Sequence, residues 1–381
     1  MLPILSEILT NESKNSKRIA DPFCGSGVVS WHLAENFDKI IIAGDLQSYA
    51  AIRAASVITR TTKIEHHLML IKSWFNEANK LSNAIFDYFP NHIKSIDPTL
   101  NDHTQIKNVV FRSRKFTQEI LPDIFRKLGG EWAISKAYGG YYYSPYQAII
   151  FDSLRQTLPK DESFRLVALS ALIDAASRCS ASPGHTAQPF QPTEKAAKYI
   201  IDAWKRDVYK YVKKSIYEIS EKYSKNIGES ITGDYALTID KLSEGDLVFA
   251  DPPYSGVHYS RFYHVLETLA LGKEFTVSGQ GRYPDQRYRP VSTFSRKTES
   301  YNAADDFLKK CSDKKVNVVL TFPENKSSNG LSAKDFMNIG KKYFSKIEHE
   351  NFESEFSTLG GNSIHRESRV KSNESIVIFR V

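Results

Sequence analysis

The chain has 381 residues, 41% of them hydrophobic and 25% charged, with a formal net charge of +7. This is enough for a large domain with a real core plus a second module, and no apolar run approaches the ~20 residues of a membrane-spanning helix. Three cysteines far apart in sequence, Cys24, Cys179 and Cys311, with no Cys-x-x-Cys spacing, predict neither a disulfide framework nor a metal site. Met1-Leu2-Pro3-Ile4 opens an amphipathic stretch without signal-peptide architecture, so a cytoplasmic protein is expected.

The first predicted strand, residues 17–21, runs into Asp21-Pro22-Phe23-Cys24-Gly25-Ser26-Gly27, and a helical pattern follows from Val28 to Asn36. A strand ending in Asp, then a glycine-rich turn, then a helix start lets backbone approach a nucleotide-like ligand closely. The spacing is Gly-x-Gly, not the Gly-x-Gly-x-x-Gly of dinucleotide sites. A second strand, 39–45, ends in Asp45, an acid able to accept hydrogen bonds from ribose hydroxyls or to sit solvated at the strand end.

Residues 61–227 break this alternation and read as mostly helical, with segments at 66–89, 113–128, 145–158, 164–177 and 193–225. Residues 63–229 hold 24 Lys and Arg against 18 Asp and Glu, most of the chain's positive excess. A modest basic bias of this kind suits a phosphate-backbone partner. Ser144 and Pro145, after Tyr141-Tyr142-Tyr143, read as the cap and first residue of a helix. Residues 182–190 form a polar loop in which His185 reads as a surface residue. Arg206, Lys210, Lys213 and Lys214 fall on one face of the predicted helix 193–225.

A third strand, 229–234, ends near Asp234, with Asp240 and Asp246 as competitors in register. The fourth, 246–251, delivers Asp251, Pro252, Pro253 and Tyr254 to the C-terminal edge of the sheet, where open α/β sheets bind ligands. Prolines fix φ and remove N–H donors, so a carboxylate and carbonyls remain as an all-acceptor site. Such a site suits an –NH2 group, and Tyr254 can stack on a flat base. The loop 279–298 follows, carrying Arg282, Arg287, Arg289, Arg296 and Lys297 among Tyr283 and Tyr288; Arg with Tyr suits phosphate contact and base stacking. Strands at 315–323, 343–353 and 374–381 complete seven, the last two joined by a loop at 357–373 and able to pair antiparallel.

Asp-Pro-Phe-Cys-Gly-Ser-Gly together with Asp-Pro-Pro-Tyr resembles the S-adenosylmethionine-dependent amino-methyltransferases of DNA, chiefly the N6-adenine group. The resemblance covers about residues 17–60 and 228–381. It implies an α/β fold, a Rossmann-like seven-stranded methyltransferase sheet with a large mainly helical insertion at 61–227, one that can carry target recognition. It implies S-adenosylmethionine held by Asp21, Phe23, Cys24, Gly25, Gly27, Asp45 and Asp234, the last through the cofactor's adenine amino group. Asp251 and the Pro252 carbonyl would each accept one N–H of the target amine, and Tyr254 would stack on a base flipped out of a duplex. The Tyr-Ser-Pro string at 143–145 is similar to segments that border the active site in some adenine enzymes. Cytosine N4, or adenine N6 or guanine N2 of RNA, would present similar donors, and a non-catalytic subunit could keep the fold. A restriction or defence partner subunit is compatible with this reaction class, although nothing nuclease-like occurs in the chain.

Overall fold

The computed structural model describes residues 2–89, 105–357 and 369–381. It divides into two compact units. One comprises Met1–Lys63, Lys222–Ser260 and Pro290–Val381; the other comprises Ile64–Glu221 and Arg261–Arg289.

The first unit is built on a seven-stranded sheet. Its strands are β1 (Arg18–Asp21), β2 (Ile40–Asp45), β3 (Glu229–Thr232), β4 (Leu247–Ala250), β5 (Asn317–Pro323), β6 (Lys346–Ser357) and β7 (Arg369–Arg380). In space they run β3-β2-β1-β4-β5-β7-β6. The first five are mutually parallel, while β7 runs antiparallel between β5 and β6. The seven expected strands are all present. The final hairpin is longer than the sequence suggests, pairing as far as Ser357 with Arg369. The rest of its expected loop, 358–368, lies outside the described residues.

Parallel strands covered on both faces need continuous apolar runs rather than alternation. Leu247–Ala250 is wholly buried, as are Val318, Val319, Leu320 and Thr321 of β5. An aromatic core of Phe294, Phe307, Phe322 and Phe336 packs with Ala20, Val248 and Leu320 of these strands. Register between β1 and β4 is pinned at their starts. Asp246 accepts the backbone N–H groups of Arg18 and Ser243 at 2.9 Å each, and pairs with the Arg18 guanidinium at 3.3 Å. Asp246 is thereby a structural anchor and no competitor for the sheet's ligand edge.

The second unit is helical. His67–Phe86, Ile106–Lys115, Leu121–Leu128, Pro145–Gln156, Glu162–Cys179, Glu194–Trp204 and Val208–Ser220 are its longer helices. Ser144 and Gln147 form a reciprocal capping box, with Pro145 in the first turn, as the sequence predicts. The single helix expected over 193–225 is two. The chain breaks at 205–207, where Asp207 accepts the Lys210 N–H at 3.1 Å and caps the second helix. Arg206 therefore leaves the basic face proposed for it, and its guanidinium donates to the Arg178 carbonyl. His185 is buried rather than on the surface; its Nδ1 accepts the Ala187 N–H at 3.2 Å. No described helix is long and apolar enough to cross a membrane.

Candidate active site

Because β3, β2, β1 and β4 are parallel neighbours, their C-terminal ends share one edge. Asp21 closes β1, Asp45 closes β2, Asp251 directly follows β4, and Asp234 stands two residues past β3. Four carboxylates thus arrive at one sheet edge from four segments scattered over the sequence.

The turn after β1 is shaped by two left-handed glycines, Gly25 at φ 49° and Gly27 at φ 79°. They serve different needs. A Cβ on Gly27 would lie 3.1 Å from the Ala54 backbone nitrogen of helix Ser48–Ile58, so close helix packing demands glycine. A Cβ on Gly25 would meet only the Phe23 carbonyl, at 3.9 Å, and otherwise open space. The turn is tied down from β2: the Cys24 N–H donates to the Gly44 carbonyl at 2.9 Å, and the Gly25 N–H to Asp45 Oδ2 at 3.0 Å. Asp45 Oδ1 accepts the Gln47 N–H at 2.9 Å, so this carboxylate fixes two turns at once.

Asp21 is 1% exposed. Its Oδ2 accepts the Ser30 hydroxyl at 2.6 Å, while Oδ1 is buried with no donor among the described residues. Burial pushes its carboxyl up to about 7; the Ser30 bond opposes this, and repulsion from Asp251 and Asp45 adds to it. Cys24 is also buried, which pushes its thiol well up and leaves no reactive thiolate. Phe23 packs half-buried against Tyr235, Phe294 and Phe307. Asp234 is exposed; its Oδ1 accepts the Ala236 N–H at 3.0 Å and caps helix Tyr235–Ile239, while the Gly233 N–H donates to the Asp45 carbonyl at 2.8 Å.

Asp251 keeps solvent-accessible surface yet is crowded by protein on its other sides. That crowding pushes its carboxyl up to about 6, opposed by a hydrogen bond from Thr321. Pro252 is buried, and no donor among the described residues reaches its carbonyl. The next two carbonyls are engaged by Asn329, which is fully buried. Its Nδ2 donates to Pro253 at 3.0 Å and to Phe294 at 3.1 Å, and its backbone N–H donates to Tyr254 at 3.4 Å. Asn329 braces the turn that carries Asp251, and the sequence gives no sign of it: an Asn in a Ser/Asn/Gly loop reads as any turn residue.

The arrangement offers an acidic sheet edge, an open cradle beside Gly25 and an acceptor pair with a neighbouring ring. The family model for D12 class N6 adenine-specific DNA methyltransferases matches residues 2–324. The chain belongs to that family. No curated protein matches it significantly. In this adenine methyltransferase the basic positions of loop 279–298 are not one set. Arg282, Arg287 and Arg289 lie in the helical unit, Arg296 and Lys297 in the sheet unit. Arg287 pairs with Asp285 at 3.0 Å and Arg296 with Glu299 at 2.8 Å. Arg282 is half-buried and donates to the Ala137 carbonyl at 2.8 Å and the Lys136 carbonyl at 3.3 Å. Arg289 is half-buried and Lys297 exposed, and neither forms an ion pair among the described residues.

Proposed function

We propose that this methyltransferase uses S-adenosylmethionine to methylate the N6 amine of an adenine presented between Asp251, Pro252 and Tyr254. The single observation that carries the reading is the β4 exit, where a raised carboxyl and a carbonyl with no donor stand together on the ligand edge. When bound, S-adenosylmethionine supplies an electrophilic methyl on a sulfonium. The residues of the β1 turn fit such a group. Asp21 Oδ1 is a buried acceptor without a donor, which suits an ammonium, and the space beside Gly25 admits close approach. Asp45 closes β2 beside this turn, where a carboxylate suits ribose hydroxyls, and the exposed Asp234 carboxylate suits an amine.

An exocyclic amine is a poor nucleophile because its lone pair is delocalised into the ring. Asp251 accepts one of its N–H groups and the Pro252 carbonyl the other, which favours a tetrahedral nitrogen and localises the lone pair. This is electrostatic preorganisation, with no covalent intermediate on the protein. A carboxyl near pKa 6 also suits brief custody of the proton that the nitrogen sheds. Tyr254 stacks on the base, which leaves the duplex to reach the site. Residues 61–227 are the proposed target-recognition insertion, and Arg282, Arg287, Arg289, Arg296 and Lys297 the proposed nucleic-acid contacts. A restriction or defence setting belongs to this proposal on reaction class alone.

The test is transfer of labelled methyl from S-adenosylmethionine to duplex DNA, single-stranded DNA and RNA, with nucleosides identified by mass. N6-methyladenine from DNA is expected. Label confined to N4-methylcytosine or to RNA would overturn the assignment of the target.

A further inference from the structure

We propose that four guanidiniums mounted on two tyrosines of the helical unit, Arg114 and Arg282 on Tyr141, and Arg261 and Arg289 on Tyr283, form a clamp for the phosphate backbone of the DNA substrate. This rests on DNA as the substrate and names a surface that the chemistry of the sheet edge does not require.

Each of the two tyrosine rings has two guanidiniums within cation–π distance. Arg114 lies 4.1 Å and Arg282 4.6 Å from the centroid of Tyr141. Arg261 lies 5.0 Å and Arg289 5.5 Å from that of Tyr283. Each ring thus holds two cations, which cation–π attraction favours and mutual repulsion opposes. The charges are felt nearby: burial and the Arg282 charge together push the Arg114 guanidinium down. Burial pushes His264 down to about 4, and the charges of Arg289 and Arg261 add to that.

The two tyrosines share one packed scaffold. Tyr283 follows Arg282 directly. His264 packs against Tyr138, Tyr142 and Tyr283 with ring centroids 5.6, 5.8 and 4.9 Å away, and its Nε2 meets the Gly281 carbonyl at 2.9 Å. The Tyr142 hydroxyl lies 2.7 Å from the Thr186 carbonyl and 2.9 Å from that of Gly281, and the Tyr283 hydroxyl donates to Ala187. The loop at 182–190 is thereby a structural strut beneath the cations.

None of the four arginines forms an ion pair with a carboxylate among the described residues, whereas Arg126, Arg178, Arg287 and Arg296 each do. Their internal hydrogen bonds go to neutral acceptors. Arg114 Nε donates to the Gly140 carbonyl at 3.1 Å and Arg261 Nε to the Tyr283 hydroxyl at 3.0 Å. Terminal nitrogens are left over, and the buried Arg289 Nε has no partner at all among the described residues. Four cations that form no ion pair among the described residues, each within 5.5 Å of a tyrosine ring centroid, match a polyanion such as a phosphate backbone.

The experiment is a fluorescence-anisotropy titration of a labelled duplex with the full-length protein over a series of salt concentrations. Arg261 is exposed and Arg289 half-buried, so the double variant Arg261→Gln/Arg289→Gln tests the clamp, with its melting temperature measured alongside to confirm the fold. If each contributes one phosphate contact, the slope of log affinity against log salt falls by about 1.8. S-adenosylmethionine affinity stays at the parent value. Arg261→Lys/Arg289→Lys retains the slope, which loss of ring packing alone would not explain. Arg126→Gln, which removes a cation already paired with Asp123, leaves the slope unchanged. A Gln double variant with the parent slope and affinity overturns the clamp while leaving DNA as substrate. A parent protein that shows no salt-dependent duplex binding overturns both.

Discussion

Asp21 and Asp251 both hold their protons more tightly than free carboxylates, because surrounding protein desolvates each of them, and with opposite consequences. Asp251 must be ionised to accept an N–H from the target amine. The turnover rate is therefore expected to fall by one proton's dependence as pH drops through about 6, measurable as the acid limb of a kcat profile. Asp251→Ala is expected to lower kcat by about 10²-fold or more with cofactor affinity preserved, by analogy with loss of one preorganised partner. Parent-like kcat in that variant would remove Asp251 from the chemistry. Asp21 acts on stability. Between 3.8 in the unfolded chain and about 7 in the fold, the native state keeps a proton that the unfolded state has lost. Stability therefore declines as pH rises through that window and is lowest above it. Asp21→Asn removes this cost, so the ligand-free variant should melt higher above the folded value, by on the order of 2–4 kcal/mol. The gain should vanish as pH falls to 3.8, and S-adenosylmethionine affinity should drop. A variant no more stable than the parent at alkaline pH would show that Asp21 carries no buried-charge penalty.

At the scale of the element, the β1 turn separates two kinds of glycine. Gly27→Ala places a Cβ against the backbone of helix Ser48–Ile58 at a left-handed φ, and should cost about 1–3 kcal/mol of stability. Gly25→Ala shares the left-handed φ strain but has room for its Cβ, so it should cost less stability than Gly27→Ala and weaken cofactor binding more, because that Cβ enters the open cradle. Melting curves and cofactor titrations of both variants separate the roles. Equal destabilisation with equal cofactor affinity would sink the distinction. Strand ends were legible because Asp21, Asp45 and Asp251 follow apolar runs and precede turn residues. The bracing by Asn329 was not, since its partners at 253, 254 and 294 are distant in sequence. Nor was the break at 205–207, where Asp207 looks like any charged residue within an amphipathic stretch until its side chain caps the second helix.

At the scale of the molecule, the helical unit needs chain from two places. Residues 261–289 supply the Thr268 hydroxyl to Tyr138 at 2.9 Å, the Gly281 carbonyl to Tyr142, and Glu274 Oε1 to the Trp132 N–H at 2.9 Å. Arg155 in turn donates to the Leu269 and Ala270 carbonyls. A fragment of residues 64–221 alone would lose these hydrogen bonds, at about 0.5–1.5 kcal/mol each, together with the packing of the segment that makes them. It is expected to lack a cooperative thermal transition, and joining 261–289 through a linker to restore one. Cooperative unfolding of 64–221 alone would refute that dependence.

The sequence by itself determined the sheet strands and the motif edge, because apolar runs, a glycine turn and a proline pair are local signals with local physical causes. It also carried the family, through two motifs in a fixed order. Only the tertiary structure decided that Asp246 is an anchor rather than a ligand-edge acid, that Asn329 braces the turn carrying Asp251, and that the basic loop splits between ion-paired and half-buried arginines. Each of these depends on which distant group faces a side chain, and that is set by packing rather than by neighbours in the chain.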